Sequence, residues 1–157
     1  MVRCISSAPP VVMSTRCHQL AMMVVYESAF QVLCDSPHNY RMSPQGLDFL
    51  KIVPTSWEET RVLNEQIGDY ITVARKSGED WFVGTLNDGD PRELDISLDF
   101  LPDGSFRAHL WMDGPDASKK PASVESVLLD VTASDSIAVN LASGGGHVIH
   151  LEALDDK

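Results

Sequence analysis

The chain has 157 residues and a formal net charge of −11, with a sequence pI near 4.6. This acidity leaves no basic stripe to neutralise phosphates, so it argues against a nucleic-acid partner and equally against an anionic membrane surface. Hydrophobic residues make up 43% of the chain and charged residues 22%, which is the composition of an ordinary globular protein.

The N-terminal stretch has no helical or strand periodicity and no apolar core of a signal peptide. Residues 1–13 are therefore predicted to be an unstructured leader. The apolar run over residues 19–34 is interrupted by Glu27 and falls short of the roughly 20 residues that a membrane helix requires. We expect this run to be buried in protein, with no membrane segment in the chain.

A helix is predicted from Thr15 to about Glu27, because apolar residues occur almost all round it. That pattern is typical of a helix buried on most sides. The next stretch, FQVLCD (30–35), is short, mostly apolar and followed by Ser36-Pro37. It predicts a strand that is buried on both faces.

Two helix-start signals follow that stretch. Ser43, which precedes a proline, predicts one helix, Pro54 ends it, and Ser56 with the acidic Glu58 behind it predicts another. Helix, buried strand and helix form the repeating unit of a parallel α/β fold. Because a single unit leaves its strand without a partner, residues 14–64 look like one repeat of a larger structure.

From Gly68 onward the hydrophobic period changes to two, and Gly, Asn and Asp turn signals separate the apolar runs. This pattern is typical of an antiparallel β-sandwich. The predicted fold class is therefore α+β, a helix–strand–helix unit followed by an all-β sandwich. The seven predicted strands are 69–76, 80–87, 92–98, 105–112, 124–132, 135–141 and 147–152.

Cysteine and histidine residues give no strong signal for a metal site. The three cysteines form no C-x-x-C pair, and Cys17 beside His18 matches no usual zinc spacing, so buried free thiols are the preferred interpretation. The stretch SGGGHVIH (143–150) leads into a strand and not a helix, which predicts a tight bend and not a phosphate loop. His147 and His150 should point to opposite faces of that strand.

No catalytic residue is assigned. Glycoside hydrolysis needs two carboxylates about 5 to 10 Å apart, and no convergent pair can be identified. Glu27 lies in the most apolar segment, where desolvation would suit a general acid, but a carboxylate bonded to backbone or to Arg16 is the alternative. Trp81 and Trp111 could stack on a sugar ring, although aromatic residues on a sandwich face are more often core or interface residues.

Several ordered motifs resemble one family. TRCHQLAMMVVYESAFQVLCDSPHNY, VPTSWEETRVLNEQIGDYITVARKSGEDWFVGTLND, RELDISLDFL and LASGGGHVIHL resemble the C-terminal part of family 97 glycoside hydrolases, which are bacterial α-glucosidases and α-galactosidases. The resemblance covers residues 14–152. The first residues, MVRCISSAPPVV, do not resemble the barrel sequence that should precede TRCHQL. We therefore expect a truncated or misread reading frame, or a cut chain.

The resemblance implies an architecture of an N-terminal β-super-sandwich, a central (β/α)₈ barrel and a C-terminal β-sandwich linked to oligomerisation. Residues 14–64 would be the last helix–strand–helix piece of the barrel, and residues 65–157 the sandwich. Asp35 would be a wall residue at the active-site face of the intact barrel. The catalytic carboxylates and the calcium ligands of the family would lie outside this chain, so no cofactor is expected in it.

The function implied is a non-catalytic, structural and oligomerisation role in a carbohydrate-degrading enzyme of typically periplasmic location. The expected partners are a second copy of the chain or the remainder of the glycosidase. The alternative is a free-standing carbohydrate-binding sandwich that uses Trp81 or Trp111.

Overall fold

The computed structural model describes residues 13–33 and 36–154. Most of the predicted leader, and Asp35 with its proposed wall position, lie outside these ranges. Within them the helices are α1 (Arg16–Val25), α2 (Pro37–Met42) and α3 (Leu47–Leu50). The strands are β1 (Glu59–Gln66), β2 (Tyr70–Ser77), β3 (Asp80–Asn87), β4 (Arg92–Ser97), β5 (Ser105–Asp113), β6 (Val124–Thr132), β7 (Ser136–Leu141) and β8 (Gly146–Ala153).

The strands form two antiparallel sheets. Six of them pair in the order β1-β2-β3-β8-β5-β6, and β4 pairs with β7 in a separate two-stranded sheet. All seven predicted strands are present, each with ends within one residue of the prediction. The predicted antiparallel β-structure is confirmed, with eight strands in the described residues where about seven were expected.

The main core lies between the two sheets. The alternation predicted in β7 is observed, since Ile137, Val139 and Leu141 are buried and the residues between them are exposed. They pack against inward-facing residues of the large sheet, including Trp81, which is 2% exposed. Burial of such side chains is the largest stabilising contribution to a sandwich.

A second core covers the opposite face of the large sheet. Helix α1 lies on β3 and β8 with one face buried, and α3 adds Phe49 beside it. The molecule is therefore three layers deep: helices, six strands, two strands. No helix in the described ranges is long and apolar enough to cross a membrane. The side chains of the second core are Leu20, Ala21, Val24, Phe49, Phe82, Leu86, Trp111 and Val148.

The strand predicted at FQVLCD is wrong for its described residues. Residues 30–33 have no regular secondary structure, and residues 34 and 35 lie outside the described ranges. A strand needs a neighbour to satisfy its N–H and C=O groups. Among the described residues, each strand of the two sheets pairs only with other strands of its own sheet, so this segment has no neighbour.

The helix predicted after Ser56 is also wrong. Residues 59–66 form β1, which pairs antiparallel with β2 from Glu59 opposite Lys76 to Gln66 opposite Tyr70. Pairing with a neighbouring strand overrides the local helix-start signal. The predicted boundary between residues 64 and 65 falls inside this strand.

The helix predicted after Ser43 is reduced to the single turn of α3. The helix that does begin with a Ser-Pro pair is α2, where Ser36 is the N-cap and Pro37 the first residue.

Candidate functional site

The candidate site is the junction at which helix α1 is bound to the large sheet. At its N-terminus, the Thr15 hydroxyl accepts a hydrogen bond from the His18 backbone N–H at 3.1 Å, which caps the helix. The Thr15 N–H donates to the Gly144 carbonyl at 3.0 Å, and the His18 ring Nδ1 donates to the Gly145 carbonyl at 3.0 Å. The predicted bend before β8 is confirmed. Its carbonyl groups accept hydrogen bonds from the N-terminal end of α1.

The Asp113 carboxylate fixes the backbone of this bend by hydrogen bonding. Its Oδ2 accepts hydrogen bonds from the backbone N–H groups of Ala142 at 3.1 Å and Gly146 at 3.0 Å. Gly145 has no room for a side chain, because a Cβ there would overlap this carboxylate. The Cys17 thiol is buried beside Asp113, and burial followed by the carboxylate charge raises its pKa well above the usual range. Cys17 is therefore an inert packing residue.

The middle of α1 approaches the sheet at Gly84 of β3. A Cβ at Gly84 would lie 2.9 Å from Val24 Cβ and 3.2 Å from the Ala21 carbonyl oxygen. The helix can lie this close to the strand only because residue 84 has no side chain.

The C-terminus of α1 is capped by a buried arginine from β2. Arg75 is 4% exposed; its Nε donates to the Val24 carbonyl at 2.6 Å and its Nη2 to the Val25 carbonyl at 3.1 Å. Its Nη1 donates to the Thr60 hydroxyl at 2.9 Å. The last carbonyls of a helix lack intrahelical donors and carry partial negative charge, so a guanidinium is well suited to them.

Sequence reasoning did not find Arg75, Asp113 or Gly84. The available signals were a cation within the apolar strand ITVARK and a glycine in the interior of the strand DWFVGTLN. Neither signal identifies its partner, since the contacting residues of α1 lie about fifty residues from Arg75 and about sixty from Gly84 in sequence.

The two proposed sugar-stacking residues are buried. Trp111 is 1% exposed, its Nε1 donates to the Asp48 carboxylate at 3.1 Å, and its ring packs on Phe49 and His109. Trp81 lies in the sandwich core against Phe100. Neither ring has a face open to a sugar, so the carbohydrate-binding alternative loses the two side chains on which it depended.

Glu27 is not in a desolvated environment. Its side chain is 85% exposed, and its nearest cation is Arg75 at 3.9 Å, not Arg16. This exposure removes the reason for considering it as a general acid.

His147 and His150 point to opposite faces of the large sheet, as predicted. His147 is fully buried in the core without a hydrogen-bonding partner among the described residues, and burial lowers its pKa to about 3. His150 lies on the helix-covered face and bonds Asp80 through Nε2 at 2.8 Å. No group of three or more His, Cys, Asp or Glu residues in the described ranges could hold a metal ion.

Exposed apolar side chains concentrate before the first strand. Of the ten large hydrophobic side chains exposed in the described residues, seven precede β1. Phe30 is 82% exposed, Met42 72% and Val32 61%. The segment that follows α1 therefore presents the apolar surface of the molecule. Six of the seven side chains follow α1 and Met13 precedes it; the six are Tyr26, Phe30, Val32, Leu33, Met42 and Ile52.

Comparison with known proteins gives one consistent family. The model for the glycosyl-hydrolase 97 C-terminal, oligomerisation domain matches residues 56–152. A retaining α-galactosidase of Bacteroides thetaiotaomicron is 36% identical over 143 residues, and the match covers 91% of this chain and 22% of that protein. A probable retaining α-galactosidase of Streptomyces bingchenggensis is 31% identical over 128 residues, covering 82% of this chain and 19% of that protein.

A solved structure agrees with both. The glycoside hydrolase family 97 enzyme from Pseudoalteromonas sp. strain K8, in complex with acarbose, superposes with a TM-score of 0.87 at 38% identity. The superposition covers 90% of this chain and 23% of that one. The chain thus spans about a fifth of the length of the relatives it matches. It belongs to the C-terminal oligomerisation domain family of glycoside hydrolase family 97.

Proposed function

We propose that this chain is the non-catalytic C-terminal region of a family 97 α-glycoside hydrolase, which anchors the end of the catalytic barrel and takes part in homo-oligomer formation. Residues 14–64 would contribute to the barrel, with α1 as its contact with the sandwich. The observation that carries this proposal is the attachment of α1 to the large sheet. Hydrogen bonds fix both ends of the helix, and close packing against Gly84 fixes its middle.

The distribution of exposed apolar side chains supports a partner on the far side of that attachment. Helix α1 turns one face to the sheet, while the segment after it leaves Phe30 and Val32 in water. Exposed apolar groups of this kind mark an interaction surface when they are concentrated in one part of a molecule. The partner we propose is the remainder of the glycosidase, since the relatives have about four fifths of their length outside the matched part.

Self-association is the second part of the proposal, and the description of the matched family supports it. The net charge of −11 opposes contact between copies. That repulsion is screened within about 8 Å at physiological salt, so a well-packed interface can overcome it.

The parent reaction we propose is α-glycoside hydrolysis, in line with the names of both curated relatives. The catalytic carboxylates and calcium ligands would come from segments outside this chain, and the enzyme would work in the periplasm.

The test uses the 157-residue chain alone. Nitrophenyl α-galactoside and α-glucoside should release no nitrophenol above a buffer blank, and calorimetric titration with melibiose or maltose should give no binding heat. Light scattering should give a mass above that of one chain. Turnover that survives repurification and is lost in Glu27→Gln would contradict the non-catalytic role, and a strict monomer would contradict self-association.

A further inference from the structure

The two edge strands of the large sheet, β1 and β6, differ in how well they are protected against pairing with another chain. In β1 the register shifts between Val62 and Asn64, which marks a bulge. Its side chains include the charged Glu59, Arg61 and Glu65, and Arg61 pairs with Glu59 at 2.6 Å. Bulges and charged residues are the devices by which natural proteins prevent edge strands from pairing.

Strand β6 has few of these protections. It pairs with β5 over nine residues in an unbroken register, from Val124 opposite Asp113 to Thr132 opposite Ser105. It contains no proline, lysine or arginine, and it is the last strand of the sheet in the described residues. Its central residue, Leu128, is 62% exposed.

The small second sheet is a weaker candidate for an interface. Strands β4 and β7 have six residues each, and β4 carries Arg92, Glu93 and Asp95. Short strands and charged side chains both discourage edge pairing.

We propose that β6 is the self-association surface, and that it pairs antiparallel with β6 of a second copy about a two-fold axis at Leu128. This inference rests on the proposed self-association and names the surface responsible. Because Leu128 is the middle residue of β6, this register lets all nine residues overlap and joins the two large sheets into one. Such a contact is isologous and closes as a dimer.

The side-chain pairs across the axis are compatible with this register. Each Leu128 lies opposite the other, Val127 opposite Leu129, Ser126 opposite Asp130, and Glu125 opposite Val131. No two carboxylates face each other, although both charged residues of the strand are acidic. Apolar cross-strand pairs stabilise a sheet and directly opposed like charges destabilise it.

Alternative registers are less favourable. Moving the axis to Asp130 would place this carboxylate opposite its own copy and would leave four residues of each strand unpaired. Moving the axis by one residue, to Val127 or Leu129, keeps the faces of the two strands matched but leaves two residues of each strand unpaired. The charge pattern and the position of Leu128 therefore select the same register.

The test compares the two edges in the full chain. Leu128→Cys, with Cys4→Ser and Cys34→Ser, should oxidise to a covalent dimer, because directly opposed strand residues lie about 4.5 to 5.5 Å apart and a disulfide spans that distance. Val62→Cys in the same background is the control, since Val62 is 53% exposed on the other edge. It should stay a single chain under the same conditions.

A second pair of variants keeps the test independent of disulfide chemistry. Leu128→Lys places two like charges at the axis, so its light-scattering mass should fall from twice 17.2 kDa to 17.2 kDa, while Val62→Lys should remain a dimer. Circular dichroism confirms that each variant is folded. If the unsubstituted chain associates and Leu128→Lys associates equally, or if Val62→Cys cross-links as readily as Leu128→Cys, the β6 interface is wrong while self-association stands. If the unsubstituted chain is a monomer, the self-association itself is refuted.

Discussion

The eight-stranded region and the helical segment before it are stabilised in different ways. The strands of residues 59–154 satisfy one another, and their core is complete between the two sheets. The helical segment has a buried face where it touches the large sheet, and it carries seven of the ten large apolar side chains that are exposed in the described residues. The strands therefore form a self-sufficient unit, whereas the helices depend on that unit on one side and leave apolar side chains exposed on the other.

The attachment of α1 links the two regions, and it combines polar contacts with close packing. Its ends are fixed by hydrogen bonds to the bend before β8 and to Arg75, while Gly84 allows its middle to approach β3. Sequence analysis expected an isolated repeat with missing neighbours. The sheet itself is the neighbour of α1, and this finding changes what should happen when the junction is disrupted.

The largest effect is expected from Arg75→Ala. This substitution leaves the Val24 and Val25 carbonyls without their donor in a buried site, at a cost of about 1–3 kcal/mol each, so unfolding free energy should fall by about 4 kcal/mol. Urea denaturation measures the loss. Arg107→Ala is the control, because its guanidinium is half exposed and pairs with Asp130 on the surface, a contact worth about 0–1 kcal/mol. Equal losses in the two variants would contradict the capping role of Arg75.

The free energy of unfolding should depend on pH through His147, which is buried in the strand region. The His147 pKa is near 6.5 in the unfolded chain and is lowered to about 3 in the fold by burial. Between these values the unfolded state binds more protons, so stability should fall by about 1.4 kcal/mol per pH unit as the pH drops, or about 3 kcal/mol by pH 4. His147→Leu should remove this component. Parallel pH profiles of unfolding free energy for wild type and variant would contradict it.

Gly84→Ala should weaken the junction without removing a polar contact. The added methyl group meets Val24 and the Ala21 carbonyl, so α1 must shift outward, at a cost of about 2 kcal/mol by the usual penalty for overpacking. Limited proteolysis should then cleave within α1 sooner than in the parent chain. Gly89→Ala is the matched control, because nothing lies within 4 Å of a Cβ there. Unchanged cleavage in Gly84→Ala would show that the close approach does not hold the helix.

The smallest effect on stability is expected at the exposed apolar side chains. Phe30→Ser combined with Val32→Ser should change unfolding free energy by less than about 0.5 kcal/mol, since both side chains are mostly in water. The same double variant should bind less of the dye ANS, because it reduces the apolar surface available to it. Ile67→Ser, at an isolated hairpin position that is 99% exposed, should leave dye binding unchanged. A comparable decrease in both variants would mean that apolar exposure is not concentrated before β1.

The strands were predictable from sequence because a half-buried strand alternates. In β7 that alternation is complete, and Gly or Asp turn signals mark most strand ends. Strand β1 was missed because it is an edge strand with little buried surface and a bulge, so ETRVLNEQ has no regular alternation. Its identity depends on pairing with β2, which local propensity does not record.

The junction was not predictable for a different reason. Helix α1 is apolar on nearly every side, so its sequence does not indicate which face meets the sheet or what lies against the other. Arg75 and Gly84 acquire their roles only when the fold brings together residues about fifty to sixty positions apart. Trp111 was considered for a sugar because its residue type suits one, whereas its burial depends on α3 and Asp48.

Native-state hydrogen exchange would test most directly whether α1 and the sandwich form one folded unit. If the sheet holds α1 as the contacts indicate, the amides of Ala21 and Val24 should exchange with opening free energies within about 1 kcal/mol of those of Val83 and Ile149 in the sheet. Arg75→Ala should lower the protection of the helix more than that of the sheet. Exchange of the α1 amides through openings that cost almost nothing, while the strand amides stay protected, would show that the helix is not part of the folded unit.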